Sequence, residues 1–275
     1  MFAPLNSEET AILARLPIVN RARGSRLYTD DGKRWIDCWA DGGRALAGHK
    51  PDGVSLRLKN EIDRGLFAAY PNRWQNRLIK AMLKLFPGYG AARVFQSAGQ
   101  ALKSIPANRW PIDPLDVPPG TEFISGPVWG RPQLPNHPKG DYLLPILPLP
   151  GLSEVQSVLY AHDTGDLPAS DMNSPLILAA LTRACYSVSS CMDKRHVNGV
   201  ISRKNEIRDG GNRINFWEMR GPYMVYKGDE RNYEEIFESY FSQSVLIAPS
   251  VKRPSVLPLN PSMGELKKLF FCCNI

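Results

Sequence analysis

The chain has no run of about 18 consecutive apolar residues, which argues against a membrane-spanning helix. It has no basic stretch followed by an apolar one after Met1, so no secretory signal is expected and the cytoplasm is the expected location. Cysteine is scarce: Cys38, Cys185, Cys191, Cys272 and Cys273 are the only five in 275 residues. Their number is odd and their spacing fits no zinc motif. No metal centre is expected, and reduced, mostly buried thiols are the simpler reading. Long blocks of one charge are also missing. Basic residues alternate with acids, as in Lys59, Glu61, Asp63 and Arg64, so the net charge of +7 reads as a solvated surface. A small anionic ligand is compatible with it, whereas nucleic acid is not the expected partner.

What the chain has in quantity is proline. Fourteen of its 24 prolines lie between residues 101 and 180. Proline removes a backbone donor and interrupts ladders and helix interiors. Residues 106–170 are therefore expected to be irregular chain with a few short strands, forming a connector.

The flanking zones read as regular structure. Asn6 followed by Glu9 is a capping box for a short helix. Arg26–Thr29 and Arg34–Trp39, separated by Asp30-Asp31-Gly32, read as a β-hairpin, because an Asp-Gly turn joins two aromatic-rich runs. Two amphipathic helices follow, one carrying Leu56, Leu58, Ile62, Leu66 and Phe67, the other Leu78, Ile79, Met82, Leu83 and Phe86. A short strand, Arg93-Val94-Phe95, leads into a turn at Gln96–Gly99. Ser174-Pro175 opens an almost wholly apolar helix that should be buried. Strands are expected at 214–218 and 223–227, a helix around 233–241, an extended run at 245–247, and a last helix from Ser262 with Glu265 completing its capping box.

Several of these residues come in a familiar order. Tyr28, Asp31, Gly32, Trp35 and Asp37 of the hairpin, then Gly48, His49 and Pro51, resemble the opening of class-III, pyridoxal-phosphate-dependent aminotransferases of fold type I, the group that includes glutamate-1-semialdehyde aminomutase. Gln96-Ser97-Ala98-Gly99-Gln100-Ala101 stands where that family has a strand followed by "N-S-G-T-E-A". The resemblance implies that the amides of Ser97, Ala98 and Gly99 would hold the cofactor phosphate, a role suited to a helix start. Arg220-Gly221-Pro222-Tyr223, Tyr233–Phe237, Leu246–Ser250 and Pro254-Ser255 resemble the family's small domain. Together the matches cover 20–105 and 200–270.

The resemblance also implies parts that are not visible. The family carries an acidic Asp-Glu pair for the pyridine nitrogen and a lysine for the Schiff base. Here the Asp-Glu pair, Asp229-Glu230, lies in a polar turn. The lysines between the matching regions are Lys103, Lys139, Lys194 and Lys204, and none precedes a glycine-rich segment. Lys194, beside Arg195 and His196, is the weak catalytic candidate, because a cationic neighbour lowers a lysine pKa. His137 and the pair His162-Asp163 read as surface residues.

The expectation is an α+β fold: an antiparallel sheet covered by helices, resembling the small domain of fold-type-I transferases, with a proline-rich connector. Three segments are expected, 1–105, 106–199 and 200–275, the outer two forming one domain. The expected function is a degenerate aminotransferase-like protein, non-catalytic and without bound pyridoxal phosphate. It would act by binding or interaction, as a homodimer or beside an active aminotransferase-like partner. The alternatives are a pyridoxal-phosphate-dependent aminotransferase or aminomutase with a rearranged site, and an anion or nucleic-acid binder.

Overall fold

A computed structural model describes residues 5–106, 110–151, 154–194 and 217–271, without the side chains of 192–194 and 271. The chain divides into two compact units, Pro4–Lys50 with Cys191–Ile275, and Pro51–Ser190.

The chain begins with helix α1 (Ser7–Leu13), and its capping box is formed as expected: Asn6 Oδ1 accepts from the Glu9 amide at 2.7 Å, and Glu9 Oε2 accepts from the Asn6 amide at 3.0 Å. Strands β1 (Val19–Arg23), β2 (Arg26–Thr29) and β3 (Arg34–Asp37) follow as an antiparallel meander. Gly32, at φ +78°, makes the turn between β2 and β3 that its position predicts. Trp35 and Trp39 are buried in the core of this unit.

The second unit contains helices α2 (Val54–Asp63) and α3 (Arg73–Leu85), strand β4 (Ala91–Phe95), helix α4 (Ala98–Lys103), strands β5 (Phe123–Gly130), β6 (Lys139–Pro145) and β7 (Gln156–Tyr160), and most of helix α5 (Pro175–Lys194). The four strands form one sheet in the order β4-β7-β6-β5. β5 and β6 run parallel, while β7 is antiparallel to both β6 and β4. The proline-rich stretch is therefore more ordered than its composition suggests. Its prolines are placed where strands tolerate them: Pro127 follows a register shift in β5, and Pro145 closes β6. The split after Lys50, rather than near residue 105, follows from packing. Leu78, Met82 and Val94 share one core with Leu143, Leu159, Leu178 and Leu181.

Two features of this unit differ from expectation. The first is the buried face of α2, which is Val54, Leu58 and Glu61, while Leu56, Ile62, Leu66 and Phe67 are exposed. The second is the β5–β6 connection. Parallel neighbours ordinarily need a crossover of a dozen residues or more. Here residues 131–138 make the return through two tight turns, with Gln133 at φ +64° and Asn136 at φ +49°.

Past α5, strands β8 (Trp217–Arg220) and β9 (Tyr223–Tyr226), helix α6 (Tyr233–Ser242), strands β10 (Val245–Leu246) and β11 (Ser255–Val256) and helix α7 (Met263–Phe271) complete the first unit. β10 pairs in parallel with β3, joining the two chain ends in one sheet, and β8, β9 and β11 form a second, antiparallel one. The core between them is aromatic. Tyr240 Oη accepts from Trp217 Nε1 at 3.1 Å, and Tyr233 Oη donates to the Ala248 carbonyl at 2.8 Å, so these three buried polar tips are satisfied. The architecture is α+β, with mixed and antiparallel sheets covered by helices. Among the described residues no helix is long and apolar enough to cross a membrane.

Candidate functional site

The turn after β4 is the first candidate. Ser97 is the N-cap of α4, and its hydroxyl accepts from the Gln100 amide at 3.3 Å. Ala98 is buried and Gly99 exposed at the start of a helix only six residues long. Residues 168–173 run along the outer edge of β4. The Asp171 amide donates to the Val94 carbonyl at 2.8 Å, and Ser170 Oγ accepts from the Val94 amide at 3.0 Å. This strap places a carboxylate on the turn itself: Asp171 Oδ2 accepts from the Gln96 amide at 2.9 Å, and Gln96 Nε2 donates to the Met172 carbonyl at 2.9 Å.

The lysines are not gathered there. β4 and β6 run in the same direction, and Tyr142 and Ala91 are both paired with Tyr160. Lys139 therefore starts β6 at the opposite end of the sheet from Ser97, nine residues or roughly 30 Å away along the strands at about 3.3 Å per residue. Lys103 is exposed at the far end of α4. The backbone of Lys194 closes α5, but its side chain, like all of Lys204, lies outside the described residues.

The hairpin motif forms the second cluster. Asp37 is buried. Its Oδ1 accepts from the amides of Trp39 and Ala40, both at 2.9 Å, and its Oδ2 lies 2.6 Å from His49 Nε2. The His49 amide donates to the Gly24 carbonyl at 2.9 Å. A Cβ on Gly48 would lie 2.9 Å from the Gly24 Cα, and Gly48 has φ +85°, so only glycine permits this approach. The Gly48-His49 pair thus clamps the hairpin to the turn that follows it. The signature residues that carry the resemblance do structural work here.

A third cluster was not read from the sequence. Asp113 grips the buried Arg131 guanidinium through both carboxylate oxygens, one bond being 2.7 Å from Oδ1 to Nε. Burial pushes the Asp113 carboxyl up, but Arg131 more than offsets this and holds it below the usual carboxylate range. His137 packs its ring edge-on against Phe86, and its Nδ1 lies 2.7 Å from the Pro138 carbonyl. Burial lowers the pKa of this imidazole. His137 is therefore packed into the connection between β5 and β6 and is not a surface residue. His162 and Asp163 are exposed, as expected. Among the described residues no group of three or more histidine, cysteine, aspartate or glutamate side chains is arranged to hold a metal.

Comparison with known proteins gives this geometry a frame. No protein-family model matches the chain. An uncharacterized protein of Treponema pallidum (strain Nichols) is 26% identical over 97% of both chains. A glutamate-1-semialdehyde 2,1-aminomutase of Heliobacterium modesticaldum is 34% identical over 93 residues, 34% of this chain and 21% of that protein. Among solved structures, an ornithine δ-aminotransferase of Plasmodium falciparum superposes with a TM-score of 0.62 at 14% identity, covering 96% of each chain. An acetylornithine aminotransferase of Elizabethkingia anophelis gives 0.65 at 11% identity, covering 91% and 90%. The chain has an aminotransferase-like fold.

That fold implies pyridoxal phosphate, and the Ser97 turn does not fit it. The Asp171 carboxylate accepts from the Gln96 amide, next to the Ser97, Ala98 and Gly99 amides that the resemblance assigns to the phosphate, and so brings negative charge to the turn. Gly99 stands where the resembling motif has threonine, so a hydroxyl donor is lost. Ser97 spends its own side chain on the helix cap. None of the lysines whose side chains are described between the matching regions is at the turn.

Proposed function

We propose that this protein is a non-catalytic, aminotransferase-like protein that works by binding or interaction. The observation that carries this reading is the Asp171–Gln96 bond: a carboxylate stands at the turn where an aminotransferase would place a phosphate. Repulsion between the two anions opposes cofactor binding, and the missing hydroxyl at Gly99 removes part of the compensation. The aminotransferase-like fold remains as a scaffold.

The surface supports interaction through protein contact. Leu56, Ile62 and Leu66 are all exposed on α2 and the turn that follows it. Such a density of apolar side chains marks a contact surface more often than a solvated one. The proposed assembly is a homodimer, or a pair with an active aminotransferase-like protein.

Spectrophotometric titration tests the reading. Adding pyridoxal phosphate to the purified chain is expected to give the absorbance of the free aldehyde and a weak, non-saturating background from exposed lysines. A saturable visible band with one equivalent bound would overturn it and favour an aminotransferase with a rearranged site.

A further inference from the structure

Part of the positive charge of the second unit is gathered on one helix. Helix α3 reads Arg-Trp-Gln-Asn-Arg-Leu-Ile-Lys-Ala-Met-Leu-Lys-Leu and contains no acidic residue. Arg73, Arg77, Lys80 and Lys84 fall at i, i+4, i+7 and i+11, which is one face of a helix. All four are exposed, while Trp74, Leu78, Ala81 and Met82 form the buried side. The cations thus stand in a row, about one helical turn of 5.4 Å apart, over roughly 16 Å.

Arg57 of α2 joins this row at its N-terminal end. The guanidinium carbons of Arg57, Arg73 and Arg77 lie 5.7, 5.6 and 4.8 Å from the centre of the Trp74 ring. Stacking on an indole holds a guanidinium in place without neutralising it. Among the described residues no ion pair engages Arg57, Arg73, Arg77, Lys80 or Lys84. Five cations are therefore held close together with their charge unspent. Glu61, the acid of α2 that faces inward, has its Oε1 3.3 Å from Arg64 Nη1.

An aromatic component lies beside the row. The segment entering α3 exposes Tyr70, at 69%, and Phe67, at 56%. The Asn72 side chain ties this segment to the helix: its amide nitrogen donates to the Tyr70 carbonyl at 2.7 Å, and its oxygen caps the Trp74 amide at 2.9 Å. A line of phosphates matches the row of cations, and exposed aromatic rings give unpaired bases a face to stack on. A lipid surface would use the same charges, but the helix that carries the row keeps its own apolar face in the core, so an evenly spaced line of phosphates is the better match, and anionic vesicles are the competing arm of the test.

We infer that the exposed face of α3, with Arg57 and Tyr70, is a binding site for single-stranded nucleic acid, contacted through its phosphates and stacked bases. The reading is independent of whether the Ser97 turn takes a cofactor.

The test is fluorescence anisotropy of the full chain with a labelled oligothymidylate of about 15 nucleotides at several salt concentrations. Five phosphate contacts predict a slope of log K against log salt near −3.5. Arg77→Gln and Lys84→Gln should each reduce that slope by about 0.7. Tyr70→Ala should weaken binding roughly tenfold and leave the slope unchanged. The exposed Arg21 and Arg23 belong to the other unit, and their replacement by glutamine should change neither value. Lys84 makes no contact with Trp74, so its variant gives the answer if Arg77→Gln does not fold. Absence of binding at low salt, an equal loss of slope in the Arg21/Arg23 variant, or binding of anionic phospholipid vesicles in place of the oligonucleotide would each overturn the proposal.

Discussion

Asp37 and His49, twelve residues apart, meet at 2.6 Å between a buried carboxylate oxygen and an imidazole nitrogen. The contact closes a loop containing four consecutive residues of positive φ, Ala40 to Gly43. Left-handed backbone at non-glycine positions costs about 1–2 kcal/mol per residue. Ala40 and Asp41 are therefore held there by the surrounding bonds, those of Asp37 among them.

Removing this clamp should loosen the unit built from both chain ends. His49→Ala leaves Asp37 Oδ2 buried without its partner, and a loss of about 1–3 kcal/mol is expected. Gly48→Ala should cost at least as much, because its Cβ meets the Gly24 backbone. Urea unfolding followed by tryptophan fluorescence reads both. A His49→Ala midpoint equal to that of the unaltered chain would contradict the clamp.

His137 makes the second unit sensitive to mild acid. Burial holds its folded-state pKa below the usual value, so between that lower value and about 6.5 the unfolded chain binds a proton that the folded chain does not. Stability is full above about pH 6.5 and falls as pH drops below it. His137→Gln should flatten the dependence of the urea midpoint between about pH 6.5 and 5. An unchanged slope would contradict the assignment.

Stronger acid should release the ion pairs of the other unit. Burial pushes Glu9 and Glu265 up, but Arg253 and Arg26, with backbone amides, more than offset this and hold both carboxyls below the usual range. Their contribution is present above the unfolded value of about 4.3 and is lost as pH falls through the lower folded values. Glu265→Gln should cost about 1–3 kcal/mol at neutral pH. The difference from the unaltered chain should close in stronger acid, which urea unfolding at a series of pH values checks.

The thiols should be inert. Cys38 and Cys185 are buried and free, and burial raises both, Cys185 to about 12. Only the thiolate is an effective nucleophile. Iodoacetamide followed by peptide mass spectrometry should leave both unmodified in the folded protein and modify both in urea. Rapid native labelling of Cys185 would contradict its placement on the inner face of α5.

Much of this fold is written locally. The capping boxes at Asn6/Glu9 and Ser262/Glu265 and the turn at Gly32 form from residues within four positions of each other, so spacing alone predicts them. The buried face of α2 was hidden because Glu61 occupies an inward position that periodicity assigns to an apolar side chain. Asp171 reaches Gln96 across 75 residues and Asp113 reaches Arg131 across 18, and no local pattern marks either contact. The sheet of 123–160 was obscured by prolines that the structure places at a register shift and a strand end. The basic row on α3 was present in the spacing. It becomes visible as a surface only once the burial of Trp74, Leu78 and Met82 fixes which side faces out.

The central claim is that the fold persists without its cofactor chemistry. Incubation with excess pyridoxal phosphate, borohydride reduction and intact-mass measurement addresses it most directly, because reduction fixes any lysine aldimine as a stable pyridoxyl adduct. The account predicts a mass unchanged beyond the background adducts of exposed lysines, with no single lysine favoured in the peptide map. A stoichiometric pyridoxyl group on one lysine would contradict it.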